Sequence, residues 1–146
     1  MRVIGIIPSR YESTRFPGKP LADILGKSMI QRVYEQCEKC TTLDDIIVAT
    51  DNEKILNHIQ EFGGKAMMTS TSHQSGTDRC NEVIHNITEE YDIAINIQGD
   101  EPFINPNQID QITSLFNSEE VSIATLAKKI QDKALIKEKN SPKAIF

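Results

Sequence analysis

The chain has 146 residues, of which 38% are hydrophobic and 25% charged, and its formal net charge is −5. That length suits one globular domain with a single core, and the composition excludes a disordered chain. The negative balance excludes broad, charge-driven binding of nucleic acid polymers, which needs a basic face to displace counterions.

Residues 3–7 are an apolar, β-branched run and predict a strand buried on both faces and stopped by Pro8. The run is too short for a signal-peptide core or a membrane span, so a cytoplasmic protein without a membrane partner is expected. Residues 8–28 show no convincing periodicity; a loop of about twenty residues is longer than most connections in a compact domain. Helical spacing then begins with Met29, Ile30, Val33, Tyr34 and Cys37, followed by a strand over residues 46–49. Ile55, Leu56, Ile59 and Phe62 predict a second helix, stopped by Gly63-Gly64, with a weaker strand candidate at residues 65–68.

A third helix is predicted through Cys80, Val83, Ile84 and Ile87, with Thr77 as its N-cap. Residues 93–97 predict another strand buried on both faces. Asn105-Pro106 opens a fourth helix that carries Ile109, Ile112, Leu115 and Phe116. Residues 121–126 predict a further strand. Residues 141–146 turn apolar again, as at the start of a new strand, which predicts that the native protein continues and that the domain 1–146 is incomplete at its C-terminus.

This alternation predicts a three-layer α/β sandwich with a mostly parallel sheet. Ligands of such sheets sit beyond the carboxyl ends of the strands, which points to residues 8–28, 50–52, 69–77 and 98–105. Cys37, Cys40 and Cys80 are an odd set and fit a reducing compartment. The Cys37/Cys40 pair lies inside a predicted helix with no second pair to complete a zinc site, so it reads as packing and surface. His58 and His85 have no visible ligand partners, and no Ser-His-Asp arrangement can be argued.

The loop after the first strand holds Arg10, Arg15 and Lys19, the hydroxyls of Ser13 and Thr14, and Gly18. A triphosphate needs such a set: cations to offset its charge, hydroxyls and amides to fix its oxygens. It is not a Walker loop, because Pro20 follows Lys19, and no G-x-G-x-x-G exists. Composition alone also allows a solvated charged loop. At residues 97–102, Asp100 and Glu101 follow a predicted strand and point opposite ways. Asp100, beside Gly99, is the candidate ligand for Mg²⁺, which takes one or two carboxylates plus phosphate oxygens; a turn aspartate is the plainer alternative. The polar stretch from residue 69 to residue 79 precedes a helix. It can read a base edge or sugar hydroxyls, or it can be an ordinary capping loop.

Together the motifs Pro8-x-Arg10-Tyr11-x-Ser13-Thr14-Arg15-Phe16-Pro17-Gly18-Lys19-Pro20, His73-Gln74-Ser75-Gly76-Thr77-Asp78-Arg79 and Gln98-Gly99-Asp100-Glu101-Pro102 resemble the KDO (3-deoxy-manno-octulosonate) cytidylyltransferases. The resemblance implies a nucleotide-diphospho-sugar transferase (Rossmann-like) fold. It implies that Arg10, Ser13, Arg15 and Lys19 hold the phosphates of CTP, that His73, Gln74, Ser75 and Gly76 border the base and ribose, and that Arg79 is also substrate-binding. Gln98 would face sugar or nucleotide, and Asp100 would bind Mg²⁺. The implied catalytic set is Arg10, Lys19 and Asp100, and the implied reaction joins CTP and KDO into CMP-KDO with release of pyrophosphate, for lipopolysaccharide synthesis. A homodimer is implied for the full-length protein, and a second metal ligand beyond Phe146.

Three rivals remain. A sialic acid cytidylyltransferase would carry paired glycines where this chain has Tyr11-Glu12. The spore-coat polysaccharide group shares the stretch over residues 13–19, but residues 73–79 speak against both. A chain of this extent that binds nucleotide without catalysis is the third.

Overall fold

The structure, a computed structural model, describes residues 1–12, 16–132 and 136–138. Four parallel strands form the main sheet: β1 (Val3–Ser9), β4 (Asp45–Thr50), β5 (Ala66–Met68) and β6 (Ile93–Asn96), in the order β5-β4-β1-β6. A small antiparallel hairpin, β2 (Asp23–Ile24) with β3 (Lys27–Ser28), stands apart. The helices are α1 (Met29–Cys37), α2 (Glu53–Glu61), α3 (Gly76–Asn86) and α4 (Pro106–Leu115).

Side chains alternate along β1, so the sheet has two distinct apolar faces. Val3 and Ile7 pack with Ile30, Val33 and Cys37 of α1, Ile55 and Ile59 of α2, and Ile109 of α4. Ile4 and Ile6 pack instead with Cys80 and Val83 of α3. The chain therefore winds outward from β1 through β4 to β5 under one layer, then returns across the other face to place β6 on the free side of β1. Right-handed crossovers require that switch of face when the direction of winding reverses.

Several expectations are corrected. β1 does not stop at Pro8 but continues to Ser9, paired with Ala49 and Thr50. The carbonyls of Arg2 and Ile6 accept from Ile93 and Ile97, so Pro8, of the same parity, turns its missing N–H toward the side where β6 has just ended. No ladder bond of β6 is lost there. β6 is buried on one face only, since Ala94 and Asn96 are exposed. Residues 121–126 form no strand: no strand pairs with them among the described residues, and Ile123 is 91% exposed. An apolar run supplies side chains for a strand but not the backbone partners that a strand needs. The start of a strand expected over residues 141–146 lies outside the described residues.

The N-cap of α3 is Ser75 rather than Thr77, its oxygen accepting from the Asp78 N–H at 3.1 Å. The unpatterned stretch 8–28 contains the β2–β3 hairpin, whose turn places Leu25 (φ 53) and Gly26 (φ 82) in the left-handed region. A two-residue turn of that hand matches the strand twist. The Arg32 guanidinium fixes it by donating to the carbonyls of Ile24 and Leu25. The expected helix ends hold at α2, which stops before Gly63-Gly64, and at α4, capped by Asn105 with Pro106 in its first turn.

At the amino ends of the strands a polar cluster ties the sheet together. Asp44 and Asp92 accept from the backbone N–H groups of Val3 and Arg2 at 2.7 and 2.6 Å. Asp45 accepts from the Tyr91 hydroxyl at 2.6 Å and from the Lys65 ammonium, and the Arg2 guanidinium lies over the Tyr91 ring. The Lys65 and Tyr91 bonds hold the Asp45 carboxyl below its ordinary range, whereas burial and the Asp45 charge push Tyr91 up to about 12. The depressed Asp45 contributes stability that is full above its unfolded value of 3.8 and fades as pH falls through the lower native value. Raised Tyr91 adds a term that is lost as pH climbs from about 10 toward 12. Asp45→Asn is expected to lower thermal stability at pH 7, with the difference from the parent shrinking toward zero as acid titrates the carboxylate. Melting curves from pH 7 to pH 2 check this, and a constant difference over that range would contradict it.

Candidate active-site cleft

At the opposite pole, the carboxyl ends of β1 and β6 mark the point where the chain leaves the sheet in two directions. Open parallel sheets gather ligands at such a switch point. A cleft of about 460 Å³ lies there, lined by Pro8, Ser9, Arg10, Glu12, Lys19, Pro20, Met29, Gly76, Arg79, Gln98, Gly99 and Asp100. A Cβ on Gly99 would come within 2.9 Å of the Pro8 carbonyl oxygen, and one on Gly76 within 3.1 Å of the Pro8 ring. Those two positions therefore admit the loop after β6 and the start of α3 against β1.

The β1 loop folds back on itself, with the Gly18 N–H donating to the Tyr11 carbonyl at 2.8 Å. A single 3-10 turn, Lys19–Leu21, follows. It sets Lys19 across the cleft from Asp100, Nζ to Oδ2 at 2.7 Å, with 37% and 55% of the two side chains exposed. Two loops thus meet through a cation and a carboxylate 81 residues apart in sequence. Arg10 is exposed on the same wall. A second open cleft, of about 680 Å³, lies beyond Arg10 and Glu12 and takes in Tyr11, Pro17, Asp51, Asn52 and Thr71.

Of the residues singled out in sequence, Arg10, Lys19, Gly76, Arg79, Gln98 and Asp100 come together around the first cleft. Ser13 and Arg15 lie outside the described residues. His73, Gln74 and Ser75 do not line it. Glu82 on α3 takes both the His73 imidazole and the Ser70 N–H, and these two bonds, the backbone one foremost, hold its carboxyl below the ordinary range. Gln74 donates to the Ser72 carbonyl, and Ser75 caps α3. These side chains shape the loop beside the cleft.

Arg79 is 1% exposed, and its guanidinium donates to Asp51 Oδ2 at 2.7 Å and to the Thr69 hydroxyl. It ties the carboxyl ends of β4 and β5 to the first turn of α3. Sequence offers no sign of that burial. Ser9, Glu12 and Met29 are cleft residues that the sequence did not mark as binding groups.

Other candidate chemistry resolves into structure. His58 lies 2.7 Å from Ser28 Oγ and 3.7 Å from Glu61, a Ser-His-Glu grouping that sequence did not reveal. Ser28 is 8% exposed, and its oxygen accepts from the Gln31 N–H as the cap of α1, which makes it a helix cap rather than a nucleophile. His85 pairs with the Asn81 carbonyl of its own helix. Burial pushes the thiols of Cys37, Cys40 and Cys80 up to about 12, 11 and 11, which removes thiolate chemistry at neutral pH and fits the packing role. Among the described residues no group of three or more His, Cys, Asp or Glu side chains could hold a metal ion, and no helix is long and apolar enough to cross a membrane.

The Arg79–Asp51 pair generates a direct expectation. Asp51→Ala leaves a buried guanidinium without its countercharge, which is expected to cost about 3 kcal/mol. Urea unfolding of the variant checks this, and a loss below about 1 kcal/mol, the scale of a surface pair, would show that the pair is not a buried tie.

The family model described as cytidylyltransferase matches residues 4–146. The chain is 52% identical over 150 residues to 3-deoxy-manno-octulosonate cytidylyltransferase of Parabacteroides distasonis, covering 100% of this chain and 59% of that protein. It is 47% identical over 149 residues to 8-amino-3,8-dideoxy-manno-octulosonate cytidylyltransferase of Shewanella halifaxensis, covering 100% of this chain and 61% of that protein. Among solved structures, CMP:2-keto-3-deoxy-manno-octonic acid synthetase complexed with CTP superposes with a TM-score of 0.77 at 46% identity, over 80% of this chain and 48% of that chain. The chain thus spans about three fifths of the curated relatives' length. With a match that runs nearly from end to end, over a parallel sheet whose cleft lies at the switch point, the chain belongs to the cytidylyltransferase family.

Proposed function

We propose that the cleft binds CTP and that, in the whole protein, the site transfers CMP to the anomeric hydroxyl of a 3-deoxy-octulosonate sugar, with KDO as the first choice. The observation that carries this reading is the meeting of Arg10, Lys19 and Asp100 around one cavity at the carboxyl ends of β1 and β6. The solved relative at 46% identity, described as complexed with CTP, supports the nucleotide. Relatives named for KDO and for its 8-amino analogue match this chain at 52% and 47%, which supports a shared nucleotide half.

The chemistry asks for charge neutralisation and alignment rather than a covalent enzyme intermediate. Arg10 and Lys19 are the cations that offset the triphosphate. The sugar hydroxyl attacks the α-phosphorus, and the bond to the β-phosphate oxygen breaks to release pyrophosphate. Asp100 fits a Mg²⁺ shared with phosphate oxygens, since Mg²⁺ is commonly held by one or two carboxylates plus substrate. Bound there, Mg²⁺ would neutralise phosphate charge. Among the described residues, Glu12 is the other carboxylate on the cleft wall. The Lys19–Asp100 pair is half exposed, and pairs of that kind contribute about 0–1 kcal/mol, so an entering nucleotide opens it at little cost.

Calorimetric titration of CTP against ATP, GTP and UTP, with and without Mg²⁺, tests the reading. CTP is expected to bind most tightly. Lys19→Ala is expected to weaken it about tenfold or more, as for loss of a charged hydrogen bond, whereas Asp100→Ala mainly removes the Mg²⁺ dependence. Unchanged affinity and unchanged metal response in both variants would overturn the site. Pyrophosphate release from CTP, Mg²⁺ and KDO by this chain alone separates turnover from nucleotide binding without catalysis.

A further inference from the structure

We infer that the Ser9 hydroxyl is a nucleotide-binding group of the cleft, held without a partner until the cleft is filled; this deepens the reading of the cleft as a CTP site and rests on it. Ser9 is 4% exposed and lines the cleft, and its Oγ is buried with no hydrogen-bond partner among the described residues. Among the described residues the other buried serine and threonine hydroxyls are all bonded. Thr50 Oγ1 accepts from the Asn52 N–H, Thr69 Oγ1 donates to the Thr50 carbonyl, Ser28 Oγ accepts from Gln31, and Thr113 Oγ1 donates to the Ile109 carbonyl. Thr50 and Ser9 are register partners at the ends of neighbouring strands, so the contrast is between two hydroxyls in nearly the same place.

Buried polar groups in folded proteins are paired, and an orphan is a cost that stability alone does not explain. Ser9 shares the parity of Val3 and Ile7, which puts its side chain on the α1 side of β1. The same cleft is lined by Pro20, Met29, Lys19 and Arg10. No described residue supplies the Ser9 Oγ with a hydrogen bond. A serine oxygen has three staggered positions about one bond, so a rotation re-aims it into the cleft without moving β1. The adjoining cations select an anionic, oxygen-rich ligand, toward which a hydroxyl donates.

Ser9→Ala removes the orphan and keeps the packing, so it separates a ligand-binding role from a structural one. The expected result is a ligand-free melting temperature at or above that of the parent, together with CTP affinity weakened about tenfold or more, the worth of one hydrogen bond to a charged group. A ligand-free variant less stable than the parent overturns the inference, because the hydroxyl then serves the fold. Equal CTP affinity in variant and parent overturns it while leaving the cleft reading intact. Parent protein that binds no CTP overturns the cleft reading itself, and the melting comparison still reports on whether the hydroxyl is an unmet group in the free protein.

Discussion

Pro8 is touched from two sides by loops that carry glycine at the point of contact, Gly76 at the start of α3 and Gly99 after β6. A side chain at Gly99 would meet backbone oxygen at 2.9 Å, which nothing flexible can yield to. The approach of those loops fixes where the walls of the cleft stand. With a wider gap the turn after β6 would move outward and Asp100 would lose its reach to Lys19. The cleft is thus a packing consequence before it is an electrostatic one.

Charge is distributed along the sheet to match. Asp44, Asp45 and Asp92 gather at the amino ends of the strands, where Arg2, Lys65 and backbone N–H groups of β1 occupy them. Arg10 and Lys19 stand at the carboxyl ends. A protein of net charge −5 repels polyanions in general, so a small anion meets attraction only close to cations such as Arg10 and Lys19.

The order of strands and helices was legible because hydrophobic period survives in every segment of the main sheet and its helices. Legibility failed where backbone rather than side chains decides. The hairpin at Leu25-Gly26 lacks the asparagine or aspartate that usually announces a left-handed turn, and residues 121–126 have strand-like side chains without a strand beside them. In the cleft, Arg10, Lys19, Gln98 and Asp100 were readable because they follow the ends of apolar runs. Arg79 was readable as a motif residue, but its burial against Asp51 and Thr69 depends on how β4, β5 and α3 converge. Ser9 was hidden by Pro8, which falsely signalled the end of the strand.

The fixed and the loose parts of the cleft differ by the burial of their charges. Arg79 and Asp51 are enclosed, so their attraction is little screened and each depends on the other; this holds the first turn of α3 in place. Lys19 and Asp100 are close but half exposed, so water screens them and either can exchange its partner. A cleft for a triphosphate needs both kinds. The buried pair sets the geometry at a cost met during folding, while the exposed pair keeps two opposite charges apart from the core and poised over the opening. Had Lys19 and Asp100 been buried like the other pair, separating them would cost several kcal/mol and would consume much of the gain from binding an anion.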